Sequence, residues 1–315
     1  MSEVTVSTQN QPQPRISRAR NGVAGYIFVL PSVLFIVVFV ILPIFASFYY
    51  SITDYDLMKA PRLAGAKNYL NLFDDPRYPA AIKNTFTFAL ATVPGGVITS
   101  LLLAALINRQ IRGIYTFRAL FYMPVVSSFV SVSLIWLWFY EPNFGLFNDV
   151  LEIVGLPRLK WLRAVETSML SLILVSVWKN MGLNMVIYLA GLQGIPAHLY
   201  EAAKIDGAGR ISTFLRITVP LLGPTTYFVV IVYFIGALQM FVQVYIMTSP
   251  IAAQDGGPVY GGPLDSTVTV VVLIFDNAFS FLKMGYAAAM SFVLFIIIAL
   301  VTVINSRLLR YDVGY

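Results

Sequence analysis

The sequence has 315 residues, of which 58% are hydrophobic and only 11% charged, and its mean hydropathy is +0.77. A soluble domain carries about a quarter charged residues, so this composition excludes a chain whose whole surface faces water. The absence of cysteine and the single histidine exclude disulfides, thiol chemistry and a histidine metal centre. No cofactor is implied. The formal net charge of +6 belongs to cytoplasmic loops of a membrane protein rather than to a nucleic-acid surface.

The first residues, 1–23, are polar, rich in Gln and Pro, and carry Arg15, Arg18 and Arg20. They read as a disordered basic tail on the cytoplasmic side, and the apolar stretch behind them is too long for the core of a cleavable signal peptide. Charge-free runs follow at Asn21–Thr53, Asn84–Asn108, Ala119–Tyr140, Ile217–Gln254 and Met284–Ser306, and Thr167–Gly194 is interrupted only by Lys179. Each reaches the ~20 residues needed to cross a bilayer as a helix, and none shows the short alternation of a barrel strand. The stretch Ser266–Phe275 is too short for a crossing and reads as a re-entrant or interfacial piece. The expected fold is an all-α polytopic membrane protein with six transmembrane helices in a domain at 24–310, followed by a cytoplasmic tail at 311–315.

Six crossings put both termini on one side, and Arg307 and Arg310 after the last run match the arginines of the N-terminal flank. With that side cytoplasmic, the segments 1–23, 109–118, 194–218 and 307–315 hold 11 Lys/Arg against 4 Asp/Glu, and the outer loops hold 9 against 11. The sharpest signal is Arg109, Arg112 and Arg118 in one short loop without an acid, the case in which positive charge orients a chain best. Trp136, Trp138 and Tyr140 read as an aromatic anchor at the outer boundary. Asp74, Asp75 and the Gly-Gly-Pro turns at 256–258 and 261–263 read as exposed outer turns, and His198 as a plain loop residue.

Between the fourth and fifth runs lies "YEAAKIDGAGRISTFLRITVPLLGP", Tyr200 to Pro224, the polar interruption of an apolar chain. Pro196 opens a helix carrying Glu and Ala, good helix formers; Gly207 allows a turn, and a second helical stretch starts at Ile211. The product is a short helix–turn–helix at the membrane surface. Its small residues leave a closely approachable face, which suits docking better than lying on lipid.

This segment resembles the EAA loop of the permeases of binding-protein-dependent ABC importers. Glu201, Ala202, Ala203, Asp206, Gly207, Ala208, Phe214, Ile217, Pro220 and Pro224 match its pattern, while Val219 replaces the usual Leu. Three further stretches, "GAKNYLNLFDDPRYPAAIKNT", "EPNFGLFNDVL" and "VWKNMGLNMVIYLAGLQGIPAHLYEAA", are similar to the sugar-uptake branch of those permeases. The outer stretch 249–267 is longer than the family's short turn there. The resemblance implies a type I ABC importer permease fold and a coupling loop at 194–218. Its Glu201, Ala202, Ala203, Asp206, Gly207 and Ala208 would sit in a groove of an ATPase subunit. It also implies a heterodimer with a second homologous permease subunit, two copies of that ATPase and an extracytoplasmic sugar-binding protein, with membrane lipid around the spans. Consistent with a separate ATPase, the chain has no G-x4-G-K-[ST] loop to cradle ATP phosphates. The chain itself is therefore a transport subunit, not an enzyme.

Polar residues inside apolar runs are the candidates for the substrate pathway: Lys179, Asn180 and Asn184 in the fourth run, and Tyr233, Gln239, Met240 and Gln243 in the fifth. Similarity to maltose-type permeases implies contacts near Lys179, Asn180, Leu183, Tyr233, Ala237 and Met240. The glutamines either meet substrate or bond neighbouring helices, and Lys179 either serves the pathway or snorkels outward. An alternative is an ion-coupled secondary transporter working without an ATPase, but no Asp or Glu lies in any apolar run to couple ions. A membrane-embedded enzyme lacks the clustered His, Cys or carboxylates it would need. The sugar itself, or a polyol or glycerol phosphate in its place, stays open.

Overall fold

In the computed structural model, residues 18–108, 113–254 and 260–308 are described. The tail up to residue 17, Arg15, Arg109, Arg112, Arg310, the turn at 256–258 and the tail at 311–315 lie outside the described residues. The chain divides into two units, Met1–Tyr49 and Tyr50–Tyr315.

The first unit is helical from Arg18 onward and supplies most of the first span, α1 (Tyr26–Ser51). A π-helical stretch at Val37–Ile41 interrupts its α-helical bonding. The second unit opens on a two-residue antiparallel ladder, β1 (Thr53–Asp54) with β2 (Arg62–Leu63). Asn68 fastens it by donating to the carbonyls of Ser51 and Thr53 at 2.9 and 2.8 Å, from the first turn of α2 (Lys67–Asp74).

The second span, α3 (Arg77–Ile107), starts seven residues before the charge-free run because its first turns carry Arg77 and Lys83. The third run is not one helix. It is split into α4 (Ile114–Val126) and α5 (Phe129–Phe139), bent 99° apart. Ser128 restarts the chain as an N-cap, its hydroxyl accepting from the Val130 amide at 3.3 Å. After α6 (Leu146–Ile153) the fourth span, α7 (Val165–Gln193), is unbroken. The coupling segment forms α8 (Ala197–Ile205) and α9 (Arg210–Leu221), and α10 (Gly223–Leu238) leaves α9 at 66°. The fifth run breaks again at Gln239 before α11 (Val242–Gln254). The short apolar piece becomes α12 (Val270–Ser280), and α13 (Met284–Leu308) closes the chain. Among the described residues four helices are long and apolar enough to span a bilayer, and six spans result when each bent pair counts as one.

The larger core joins α3, α5, α7, α10, α11 and α12 through Phe88, Trp136, Leu172, Leu238, Met247 and Leu273. Part of the expected aromatic anchor belongs to this core: Trp136 and Tyr140 are buried, whereas Trp138 is 78% exposed. The Tyr140 hydroxyl donates to the Ser171 carbonyl at 2.8 Å, and Asn148 is bonded throughout. Its amide donates to the Pro142 and Leu159 carbonyls and its oxygen accepts from the Leu159 amide and the Trp161 indole, at 2.9–3.0 Å. Every donor of that buried amide is used, and the ring of its partner Trp161 packs against those of Tyr140 and Phe147.

At the start of α3, Arg77 forks onto Asp265 at 2.7 and 3.0 Å and reaches Asp276 at 3.4 Å. Asn84 donates to the Asp265 and Val268 carbonyls at 2.8 and 3.0 Å. These bonds pin the segment before α12 to the start of α3. Gly261 and Gly262 are buried within that segment rather than exposed.

Candidate functional site

Two places gather the residues singled out in the sequence. The first is α8 and its turn. The helix starts on Pro196, whose extended backbone at φ −61 and ψ 132 pre-sets the entry, and it ends on Gly207 at φ +74. The Gly207 amide donates to the Lys204 carbonyl at 3.2 Å and the Ala208 amide to the Ala203 carbonyl at 2.9 Å. That bond pair is a Schellman cap, which needs a left-handed residue at the glycine position. Of the predicted coupling residues only Ala203 is buried; Glu201, Ala202, Asp206, Gly207 and Ala208 are exposed. Ile205 and Ile211 beside them are 86% and 76% exposed. Tyr200 and Thr218 share a hydrogen bond of 3.2 Å that ties α8 to α9. A groove of about 920 Å³ runs along this pair, with Leu106, Phe214 and Leu215 in its wall and Lys204 and Arg210 beside them.

The second place is a cavity of about 260 Å³ between α3, α5, α7, α10 and the start of α11. It brings together five of the polar and apolar candidates, Asn180, Tyr233, Gln239, Met240 and Gln243, and with them Ala237, which the resemblance implied. Ser176 is its hub: its carbonyl accepts from the Asn180 amide at 2.9 Å and the Tyr233 hydroxyl at 3.3 Å, and its hydroxyl accepts from the Gln243 amide. Gln239 and Met240 reach the wall because α10 ends there, and the Thr269 hydroxyl donates to the Met240 carbonyl at 3.0 Å. Lys179 and Asn184 are both buried but do not line this cavity; Lys179 reaches the break between α4 and α5, and the Asn184 amide nitrogen has no hydrogen-bond partner among the described residues.

Sequence reasoning missed Phe88, Thr92, Phe129 and Ser176 in the same wall. One signal was present: Phe88 with Thr92, and Ser176 with Asn180, are four apart and share a helix face. The Thr92 hydroxyl is buried with no hydrogen-bond partner among the described residues, an uncompensated polar atom on the cavity wall. The cavity wall thus sets amides and hydroxyls among aromatic rings and aliphatic residues such as Ala237 and Val242, without an acid or a base. No cluster of three metal-ligating side chains occurs among the described residues.

Residues 96–310 match the family described as binding-protein-dependent transport system inner membrane component. The chain is 35% identical over 299 residues to the probable ABC transporter permease protein YesP of Bacillus subtilis, covering 94% of this chain and 93% of that one. It is 30% identical over 293 residues to the sn-glycerol-3-phosphate transport system permease protein UgpA of Yersinia pestis, covering 92% and 95%. Its fold is that of a chain of the bacterial alginate ABC transporter crystallised with an alginate pentasaccharide-bound periplasmic protein. That likeness has a TM-score of 0.78 at 22% identity, over 95% of this chain and 98% of that one.

Proposed function

The chain belongs to the family of binding-protein-dependent transport system inner membrane components, and from that premise we propose the following reading. The chain is the permease subunit of an ATP-driven importer that moves a sugar, or a sugar-like polyol or glycerol phosphate, across the cytoplasmic membrane of a prokaryote. It works by alternating access, a rigid-body exchange between packed states, with both termini cytoplasmic. The observation that carries this reading is the exposed, Schellman-capped α8 between the fourth and fifth spans, bearing Glu201, Ala202, Ala203, Asp206, Gly207 and Ala208. An ATPase subunit, present in two copies, receives this helix. A second homologous permease completes the pathway, and an extracytoplasmic binding protein delivers the cargo. The likeness to UgpA, a permease for sn-glycerol 3-phosphate, supports a cargo of this polar, hydroxyl-bearing class.

Asn180, Tyr233, Gln239 and Met240 contact the cargo, together with Thr92 and Ser176. Asn180→Ala and Tyr233→Phe are expected to leave the complex assembled and to raise the cargo concentration for half-maximal uptake roughly tenfold, the scale of one lost hydrogen bond. Uptake of labelled sugars and of sn-glycerol 3-phosphate into proteoliposomes checks this. Unchanged uptake in both variants would remove the cavity from the pathway. Orientation has its own check: reporter fusions after Arg20, Pro142 and Arg310 are expected to read cytoplasmic, outside and cytoplasmic. An outside reading at Arg310 would restore a crossing at 266–282.

A further inference from the structure

We propose that Lys179 is a positioning residue: its ammonium ion clamps the break in the third span and thereby holds Phe129 at the cavity wall. The inference rests on the cavity reading above and says how Lys179 serves it without touching the cargo.

The break creates an electrostatic need. α4 ends at Val126 and α5 begins at Phe129, so the last carbonyls of α4 have no acceptor role within the helix. At membrane depth such irregular backbone must find partners inside the protein. Lys179, only 5% exposed, supplies them across from α7. Its Nζ donates to the carbonyls of Pro124, Val125 and Ser127 at 2.6, 3.2 and 2.8 Å. An ammonium has three donors and no acceptor, so three carbonyl oxygens fit the charged form. A neutral amine would turn its lone pair on one of them. The negative end of a helix dipole meets the cation at the same point, which offsets the cost of a charge at this depth.

The same ammonium lies 4.9 Å from the centroid of the Phe129 ring, within cation–π range. Phe129 is the first residue of α5 and lines the cavity. One cation therefore fixes both sides of the break, the carbonyls of α4 and the first ring of α5. Close packing makes this possible. A Cβ built on Gly182, one turn along from Lys179, would stand 2.2 Å from the Phe121 carbonyl oxygen, so the α4 backbone lies directly against α7 here.

The absence of cysteine in this chain permits a test that needs no cargo. A single thiol is introduced by Gly236→Cys, at a cavity position where an added Cβ meets no atom within 4 Å. Its maleimide labelling rate is then followed in the importer purified with its partner chains. Lys179→Met is expected to change that rate roughly tenfold, the scale of a cation–π hold lost in a desolvated site. Phe129→Ala should change it as much, and the double variant no further. Lys179→Arg, which keeps the charge and the donors, should stay near the parent rate. Additive effects of Lys179→Met and Phe129→Ala, or an unchanged rate in Lys179→Met, would overturn the proposal. So would a lower thermal midpoint in Lys179→Met with the labelling rate intact, the mark of a merely structural residue. If Lys179→Met does not assemble, the comparison of Lys179→Gln with Phe129→Leu decides on the same criteria. Failure here leaves the cargo assignment standing, because that assignment is read by uptake and this one by labelling.

Discussion

Gly207→Val is expected to give a permease that inserts normally but loses its ATPase partner, or hydrolyses ATP without uptake. The effect comes from backbone alone. Gly207 sits at φ +74, and a Cβ built there meets nothing within 4 Å, so no neighbour resists the new side chain. What resists is the left-handed conformation, which costs a residue with a side chain about 1–2 kcal/mol and a β-branched one more. If valine leaves that region, the amides of Gly207 and Ala208 release the carbonyls of Lys204 and Ala203 and the end of α8 unwinds. A loss of 1–2 kcal/mol lowers the population of the presented helix about five- to thirtyfold, and uptake should fall with it. Gly207→Asn separates conformation from contact, because asparagine tolerates the left-handed region and should keep most of the coupling. Glu201→Lys makes the complementary change, reversing an exposed charge while leaving the cap intact. Co-purification of the ATPase and the ratio of sugar uptake to ATP hydrolysis in proteoliposomes report on all three. Full uptake with full ATPase retention in both Gly207→Val and Glu201→Lys would reduce this segment to a connector.

The cap was legible in the sequence because everything it needs is local: a proline to open the helix, good formers within it and a glycine at its end. Unbroken spans were legible for a similar reason, since a run of apolar residues states its own length. The breaks were not. Val126 to Phe129 contains neither Gly nor Pro, and the partner that stabilises this opening, Lys179, lies 52 residues from Ser127. Hydropathy sees a continuous run because both halves are apolar; the local mark of the break is Ser128 as an N-cap, and a lone serine in an apolar run does not by itself separate a bent pair from a straight helix. The cavity divides in the same way. Asn180, Tyr233 and Gln239 stood out as polar groups in apolar runs, whereas Phe88 and Phe129 look no different from rings that face lipid. Trp136 and Tyr140 misled for the opposite reason. An aromatic pair near a predicted outer boundary resembles a membrane anchor, yet these two pack against each other and against Phe147, and Trp136 also against Trp178.

Gly182→Leu is expected to prevent the chain from reaching its assembled state, and Gly182→Ala to weaken that state measurably. In a bilayer, helices associate without a hydrophobic driving force between them, so close backbone approach at small residues supplies much of the attraction. Here the approach is at its limit: the nearest atom to a Cβ on Gly182 is the Phe121 carbonyl oxygen at 2.2 Å, followed by the Phe121 carbonyl carbon and the Tyr122 Cα at 3.1 Å. All three are backbone, so no side chain can swing aside. Even alanine must push α4 away from α7, an overpacking cost of about 1–3 kcal/mol. Leucine would separate the helices further and draw the carbonyls of Pro124 and Ser127 beyond the reach of Lys179. The cation would then be left buried without acceptors, which is more costly than the steric strain itself. Yield of membrane-inserted protein and its thermal midpoint in detergent, compared for glycine, alanine and leucine, should fall in that order. If Gly182→Leu accumulates with the parent's midpoint, α4 does not lie against α7 at this turn, and the route by which Lys179 reaches the break fails with it.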